Sequence, residues 1–312
     1  MATDEHRAAE GEADAAPRRC GFVALIGAPN AGKSTLLNRL VGTKISIVTH
    51  KVQTTRAIKR DIALEGASQI IFVDTPGIFR PKRRLDRPMV DTAWGGAKDA
   101  DMVALLIDAE RGLAGDTESI LTKLADVRQP KILILNKIDA VKRDTLLEIA
   151  AKANEAARFE RTFMISALTG DGCDDLLAFL AGAVPPGPWL YPEDQVSDLP
   201  LRALAAEITR EKLFLRLHDE LPYASTVETE QWKDMPDGSA RIEQTIYVER
   251  ESQKKIVIGR KGETIKAISM AARAEIQEIA EKPVHLFLFV KVRENWSDDP
   301  ERYREMGIEF PR

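Results

Sequence analysis

"GFVALIGAPNAGKSTLLNRLVG", residues 21–42, is an apolar run, a glycine-bounded loop and a helix-length stretch in immediate succession. Gly27, Gly32, Lys33 and Ser34 stand in the register G-x-x-x-x-G-K-[ST], with a strand expected before the loop and a helix after it. In that setting backbone amides curl into a positive nest, and the helix N-terminus adds its dipole, so the loop suits phosphate. Ala28, Pro29, Asn30 and Ala31 build the turn, and Thr35 follows on the helix. Lys33 is placed to reach the terminal phosphates. The Ser34 hydroxyl, a hard oxygen donor, suits magnesium.

Outward from this stretch the same alternation continues. The runs "FVALIG", "QIIFVD", "MVALLID", "KILILN" and "RTFMIS" are short and rich in Val, Ile and Leu, as strands covered on both faces are. Helix-length segments such as "DTLLEIAAKANEAARF" lie between them, which predicts an α/β fold: a mostly parallel sheet with helices on both faces. "AIKRDIALEG" alternates more evenly and suits an edge strand. "VPPGPWLYPED", residues 184–194, carries four prolines and reads as a linker. The expected organisation is a flexible tail over 1–19, a nucleotide-binding domain over 20–183, a linker over 184–198 and a second domain over 199–312.

Composition narrows the function classes. With 44% hydrophobic and 30% charged residues, both domains can fill cores without staples. Cys20 and Cys173 lack metal-like spacing, and His6, His50, His218 and His285 are scattered, so neither a zinc site nor a disulfide is expected. No apolar run reaches the roughly 18 residues of a membrane span. The first 19 residues hold five acids and three arginines without an apolar core, unlike a signal peptide. A net charge of −4 means that any polyanion must be met by a local basic patch.

Three further motifs choose the nucleotide. "DTPG", residues 74–77, follows the strand "IIFV" and places Asp74 at a strand end. There its carboxylate can accept from a magnesium water shell while the Gly77 amide senses a γ-phosphate. Thr75, Pro76 and Ile78 complete that turn. "NKID", residues 136–139, follows "KILIL". The Asp139 carboxylate can accept from both N1–H and the exocyclic amine of guanine, whereas adenine would leave it unpaired. Sites of that kind discriminate by about 10⁴–10⁵. Asn136, Lys137 and Ile138 form the rest of the motif; "SAL" at 166–168 ends the next strand, where Ser166 and the Ala167 amide face guanine O6. Asn30 sits in the middle of the phosphate loop, and Ile78 stands where a water-orienting glutamine would otherwise serve.

Beyond the linker the order changes to α-β-β-α-α-β: an amphipathic helix, a hairpin closed by "DMPDGS", two helical stretches and a last strand, "VHLFLFVKVRE". "VIGRKGETIK" places Gly259-Arg260-Lys261-Gly262 between the two helical stretches, which predicts a type II KH clamp for single-stranded RNA. Seven basic residues lie between 250 and 273, among them Lys254, Lys255, Lys266 and Arg273, against only Glu251 and Glu263. Ile256, Ile258, Ile265 and Ile268 are expected to line an apolar groove for splayed bases.

The four nucleotide motifs in this order, "QTTR" at 53–56 and the appended second domain resemble the bacterial Era-type GTPases, over nearly the whole chain beyond the tail. The resemblance implies a slow GTP phosphohydrolase that binds GTP or GDP with Mg2+. Thr54 and Thr55 both suit a magnesium-closing loop; the family pattern, in which the metal-binding threonine precedes Arg, selects Thr55, here before Arg56. Ser34, Thr55 and Asp74 are thus the expected metal set. Lys33, Thr55, Asp74, Gly77 and Asn30 are the expected catalytic set, with Asn30 holding a K+ ion. The resemblance further implies binding to the 3′ end of 16S rRNA during assembly of the 30S subunit. A cytoplasmic monomer is expected, and the resemblance also implies peripheral contact with the inner membrane. Two other classes stay open: an RNA chaperone in which GTP is a structural ligand, and an accessory GTPase of tRNA modification. Crosslinks to tRNA rather than small-subunit RNA would mark the latter.

Overall fold

The structure, a computed structural model, describes residues 17–46, 48, 59–79, 86–218 and 221–294. Most of the expected tail, Thr54, Thr55 and Arg56 therefore lie outside the described residues. Two sheets organise the chain. The first has six strands: β1 (Arg19–Gly27), β2 (Lys59–Glu65), β3 (Ser68–Asp74), β4 (Met102–Asp108), β5 (Lys131–Asn136) and β6 (Arg161–Ile165). Their order is β2-β3-β1-β4-β5-β6, with β2 antiparallel to β3 and the others parallel. β1 starts at Arg19, so the strand takes in the last residue of the expected tail.

The apolar runs are buried because helices cover both faces. Val23 and Leu25 point to the side packed by α1 (Lys33–Val41) and α5 (Cys173–Ala183). Ala24 and Ile26 point to the side packed by α2 (Asp86–Asp99), α3 (Asp116–Leu124) and α4 (Arg143–Ala156). Every residue of β3 and β4 is buried, which explains their continuous hydrophobicity. Both cysteines are buried thiols.

The second sheet follows the expected α-β-β-α-α-β order: α6 (Leu201–Arg216), β7 (Ser225–Asp234), β8 (Ala240–Val248), α7 (Glu251–Ile258), α8 (Glu263–Ile279) and β9 (Val284–Val292). β7 and β8 are antiparallel, and β9 lies parallel to β8. Leu213, Phe214, Val257 and Ile268 fill one part of its core; Ile208, Ala272 and Ile276 fill another. Ile268 is thus a core residue, because helical periodicity turns it toward the sheet, and not part of a base-binding groove.

The proline-rich segment does not hang free. Cys20 N donates to Pro185 O at 3.0 Å, and Trp189 Nε1 donates to Ala67 O at 3.1 Å. The Gln69 side chain accepts from the Leu190 and Tyr191 amides. Further on, Ile62 N donates to Val196 O and Asp198 N to Arg60 O, both at 2.9 Å, so residues 196–198 pair along the edge strand β2.

Candidate nucleotide site and RNA clamp

All the nucleotide motifs leave C-terminal ends of strands that lie parallel in one sheet: the phosphate loop after β1, "DTPG" after β3, "NKID" after β5 and "SAL" after β6. The chain turns to opposite sides of β1 for β3 and β4, and a crevice at such a switch point is where open α/β sheets bind ligands.

The loop is tightly built. An added Cβ at Gly27 would fall 2.4 Å from Leu106 O, and one at Gly32 would fall 2.2 Å from Asn136 Nδ2. Gly32 also has φ 102°, a conformation that side chains oppose. Asn30 has φ 64°, a left-handed angle that asparagine accepts more readily than most residues. That conformation gives Asn30 a reason in the backbone.

Lys33 is buried and donates to Gly27 O at 2.9 Å and Ala28 O at 3.1 Å. Burial pulls its pKa down to about 8, against the opposing charge of Asp74. Ser34 and Asp74 are buried beside it. The donor set, a hydroxyl at a helix start and a strand-end carboxylate, has the hard-oxygen chemistry of a magnesium site. Among the described residues no cluster of His, Cys, Asp and Glu forms a rival metal site.

Several of the expected site residues also make structural contacts. Thr75 Oγ1 donates to Leu25 O at 3.0 Å and locks β3 to β1. The Ile78 amide donates to Gly27 O at 3.1 Å, and its side chain enters the core with Val73 and Val90. Its place is therefore in the wall of the site, because the apolar core captures the side chain. Pro29 lies against Gly77, where a Cβ would meet it at 3.2 Å.

Asn136 bridges two loops: its Nδ2 donates to Ala31 O, and its Oδ1 accepts from Ala167 N, both at 2.9 Å. The Ala167 amide, expected on guanine O6, here donates to Asn136 Oδ1 and ties the "SAL" loop to the "NKID" loop. Ser166 is fully buried and its Oγ accepts from Thr169 N. Asp139 lies exposed on a single turn over Ile138–Ala140, consistent with a carboxylate presented to a base.

Sequence reading missed four supports of this site. Arg39 on α1 donates from Nη2 to Leu168 O at 2.8 Å and holds the "SAL" loop from below. Asp108 at the end of β4 pairs with Lys137 at 2.5 Å. Asn38 Oδ1 accepts from the Ile45 and Ser46 amides. Lys59 lies 3.5 Å from Asp74. Each is a lone polar residue in an ordinary helix or strand, with no motif to mark it.

In the second domain, three of the four residues 259–262 have positive φ: Gly259 (76°), Lys261 (51°) and Gly262 (79°). This sharp turn between α7 and α8 leaves Arg260 and Lys261 exposed at its tip. Lys255 and Lys266 are exposed nearby, Lys254 is half-buried near Glu251 at 3.9 Å, and Arg273 is exposed ten residues along from Glu263. Ile258 is half-buried, whereas Ile256 and Met270 are more than half exposed and supply apolar surface beside the clamp.

Comparison with known proteins accords with this geometry. A family model described as 50S ribosome-binding GTPase matches residues 22–137, and one described as KH domain matches residues 220–297. The GTPase Era of Rhizobium meliloti (strain 1021) is 71% identical over 300 residues, covering 96% of each chain. That of Brucella suis biovar 1 (strain 1330) is 70% identical over 303 residues, covering 97% of each. Among solved structures, Era in complex with MgGDPNP and nucleotides 1506–1542 of 16S ribosomal RNA is similar with a TM-score of 0.88 and 38% identity. It covers 93% of this chain and 99% of its own. Aquifex aeolicus Era Y63A bound to GDP.AlF4- gives a TM-score of 0.87 at 38% identity, with the same coverage. A guanine-type phosphate crevice and a GxxG clamp on one chain, with relatives of this identity along nearly its full length, place this chain in the Era family of GTPases.

Proposed function

We propose that the protein hydrolyses GTP and uses nucleotide state to control its binding to the 3′ end of 16S rRNA during assembly of the 30S subunit. The observation that carries this is the union, on one chain, of the Asp74–Lys33–Asp139 crevice with the clamp at Gly259–Gly262. The likeness to the Era complex with MgGDPNP and 16S rRNA supports it.

In this reading Lys33 leaves its loop carbonyls for the terminal phosphates, and the Ala31–Gly32–Lys33 backbone at the start of α1 faces them. Magnesium, held by Ser34, Thr55 and, through water, Asp74, supplies charge neutralisation on the β- and γ-phosphates. Asp139 reads guanine while Asn136 fixes the loops around it. The core position of Ile78 removes that side chain from water positioning, so turnover is slow. Asn30 is the proposed ligand for K+, and equal GTPase rates in sodium and potassium buffers would exclude that role. The exposed bases around the clamp are the proposed contact with an anionic inner-membrane surface; among the described residues no helix is long and apolar enough to cross a membrane. The protein is proposed to act as a monomer.

The test is RNA affinity measured with GDPNP, with GDP and without nucleotide, using an RNA of nucleotides 1506–1542. We expect tighter binding with GDPNP. The same affinity in all three states would leave two independent modules and overturn the reading.

A further inference from the structure

Residues 49–58, which include Thr55, lie outside the described residues, but both flanks of this segment are tied to elements beyond the first sheet. On the upstream flank, Glu211 of α6 accepts from Lys44 Nζ and from the Val48 amide, each at 2.8 Å. Lys44 also pairs with Glu275 of α8 at 2.6 Å. Lys212 closes the ring, pairing with Glu211 at 2.6 Å and with Glu275. On the downstream flank, β2 carries the 196–198 segment along its edge. At the start of β2, Lys59 donates to Ile45 O at 3.3 Å and to Ser46 Oγ, and lies 3.5 Å from Asp74. The contacts run in series: Asp74, Lys59, residues 44–46, Glu211, Glu275, and then α8, whose first turn follows the clamp.

We propose that the Lys44–Glu211–Lys212–Glu275 quartet is the coupling that carries nucleotide state to the RNA clamp, with Glu211 the positioning residue at its centre. This rests on the function proposed above and names the residues through which that control passes.

The quartet is neutral, two positive charges against two negative, and the Glu211 side chain is only 3% exposed. Removing the Lys44 and Val48 contacts would leave a buried carboxylate short of partners, which makes breaking the interface costly. Burial alone would raise the Glu211 carboxyl, yet hydrogen bonds from Lys212, Lys44 and Val48 hold it below its usual range, so the network outweighs its desolvation. α8 is a continuous helix, and the twelve steps from Glu263 to Glu275 span about 18 Å, which transmits a shift at one end to the other. A shift at Asp74 that moves Lys59 and residues 44–46 is therefore passed to the clamp helix.

The experiment compares Glu211→Gln and Lys44→Gln with the parent chain in full-length protein. Affinity for the 1506–1542 RNA is measured with GDPNP and with GDP, and GDP affinity and thermal unfolding are measured separately. Each variant is expected to bring the GDPNP:GDP affinity ratio to within about twofold of one, from a parent ratio of about 5–150. GDP affinity stays at the parental value, because neither residue belongs to the nucleotide site. The double variant lowers the ratio no further, since both residues serve one path. Parental ratios in the single variants would overturn the coupling alone. A parent ratio of one would overturn both the coupling and the function it rests on. Lys44→Gln, on the more exposed side of the ring, decides the matter should Glu211→Gln fail to fold.

Discussion

The two glycines of the clamp look equivalent in sequence, and the structure predicts that they are not. Both have positive φ, 76° at Gly259 and 79° at Gly262, so alanine at either costs backbone strain of about 1–2 kcal/mol. At Gly262 an added Cβ meets nothing within 4 Å, and the strain is the whole cost. At Gly259 the Cβ would lie 2.2 Å from Thr264 Oγ1, 2.7 Å from Thr264 Cβ and 2.9 Å from Thr264 N. The last two atoms belong to the first turn of α8 and cannot swing aside, so overpacking adds about 1–3 kcal/mol. Gly259→Ala should therefore move α8 relative to α7 and misplace Arg260 and Lys261. In fluorescence-anisotropy titrations, Gly259→Ala is expected to weaken RNA binding by at least about tenfold, equivalent to 1.4 kcal/mol. Gly262→Ala should weaken it by a few-fold at most, and GTPase activity without RNA should be unchanged in both. Equal losses in the two variants would refute the argument from the Thr264 contact.

Arg39→Ala removes the support under Leu168 and Ala167 and is expected to weaken GDP binding about fivefold, for one net hydrogen bond of about 1 kcal/mol, measured by calorimetry. Lys33, with a pKa of about 8 in the free protein, gains charge when phosphates bind. GDP affinity should therefore be constant below pH 7 and fall as pH rises through 8, by up to about tenfold per unit, with proton uptake detectable in buffers of different ionisation heat. Asp61 is fully buried, and its pKa is raised to about 7 by burial, against the pull of Lys59. A raised carboxyl contributes most at low pH and loses that contribution as pH rises through 7. Asp61→Asn should thus stabilise the fold at pH 8 by on the order of 1–3 kcal/mol and change little only at about pH 3.5, below the ordinary carboxyl value of 3.8, read by urea unfolding at both.

The nucleotide crevice was legible because its chemistry demands particular residues at short spacing. A phosphate loop needs glycines, lysine and a hydroxyl within nine residues of chain, and such local demands leave a mark that no packing context erases. The parallel strands were legible for a similar reason, since "QIIFVD" and "MVALLID" are apolar at nearly every position only where both faces are covered. Periodicity was a weaker guide in the second domain, where it allowed Ile268 into the groove although α8 turns it into the core. The bond from the Ala167 amide to Asn136, a partner 31 residues away, carries no local signal of that kind.

The sequence by itself determined the two folds, the guanine nucleotide and the clamp, all encoded by residues close together in the chain. Only the tertiary structure decided how they are joined. Lys44 and Glu211 are 167 residues apart, Lys59 and Asp74 meet across two strands, and the proline-rich segment proved to be fastened along the first sheet. Ion pairs of that kind need only one charge at each end and tolerate many surroundings. They therefore have no spacing to read and become visible only when folding brings the ends together.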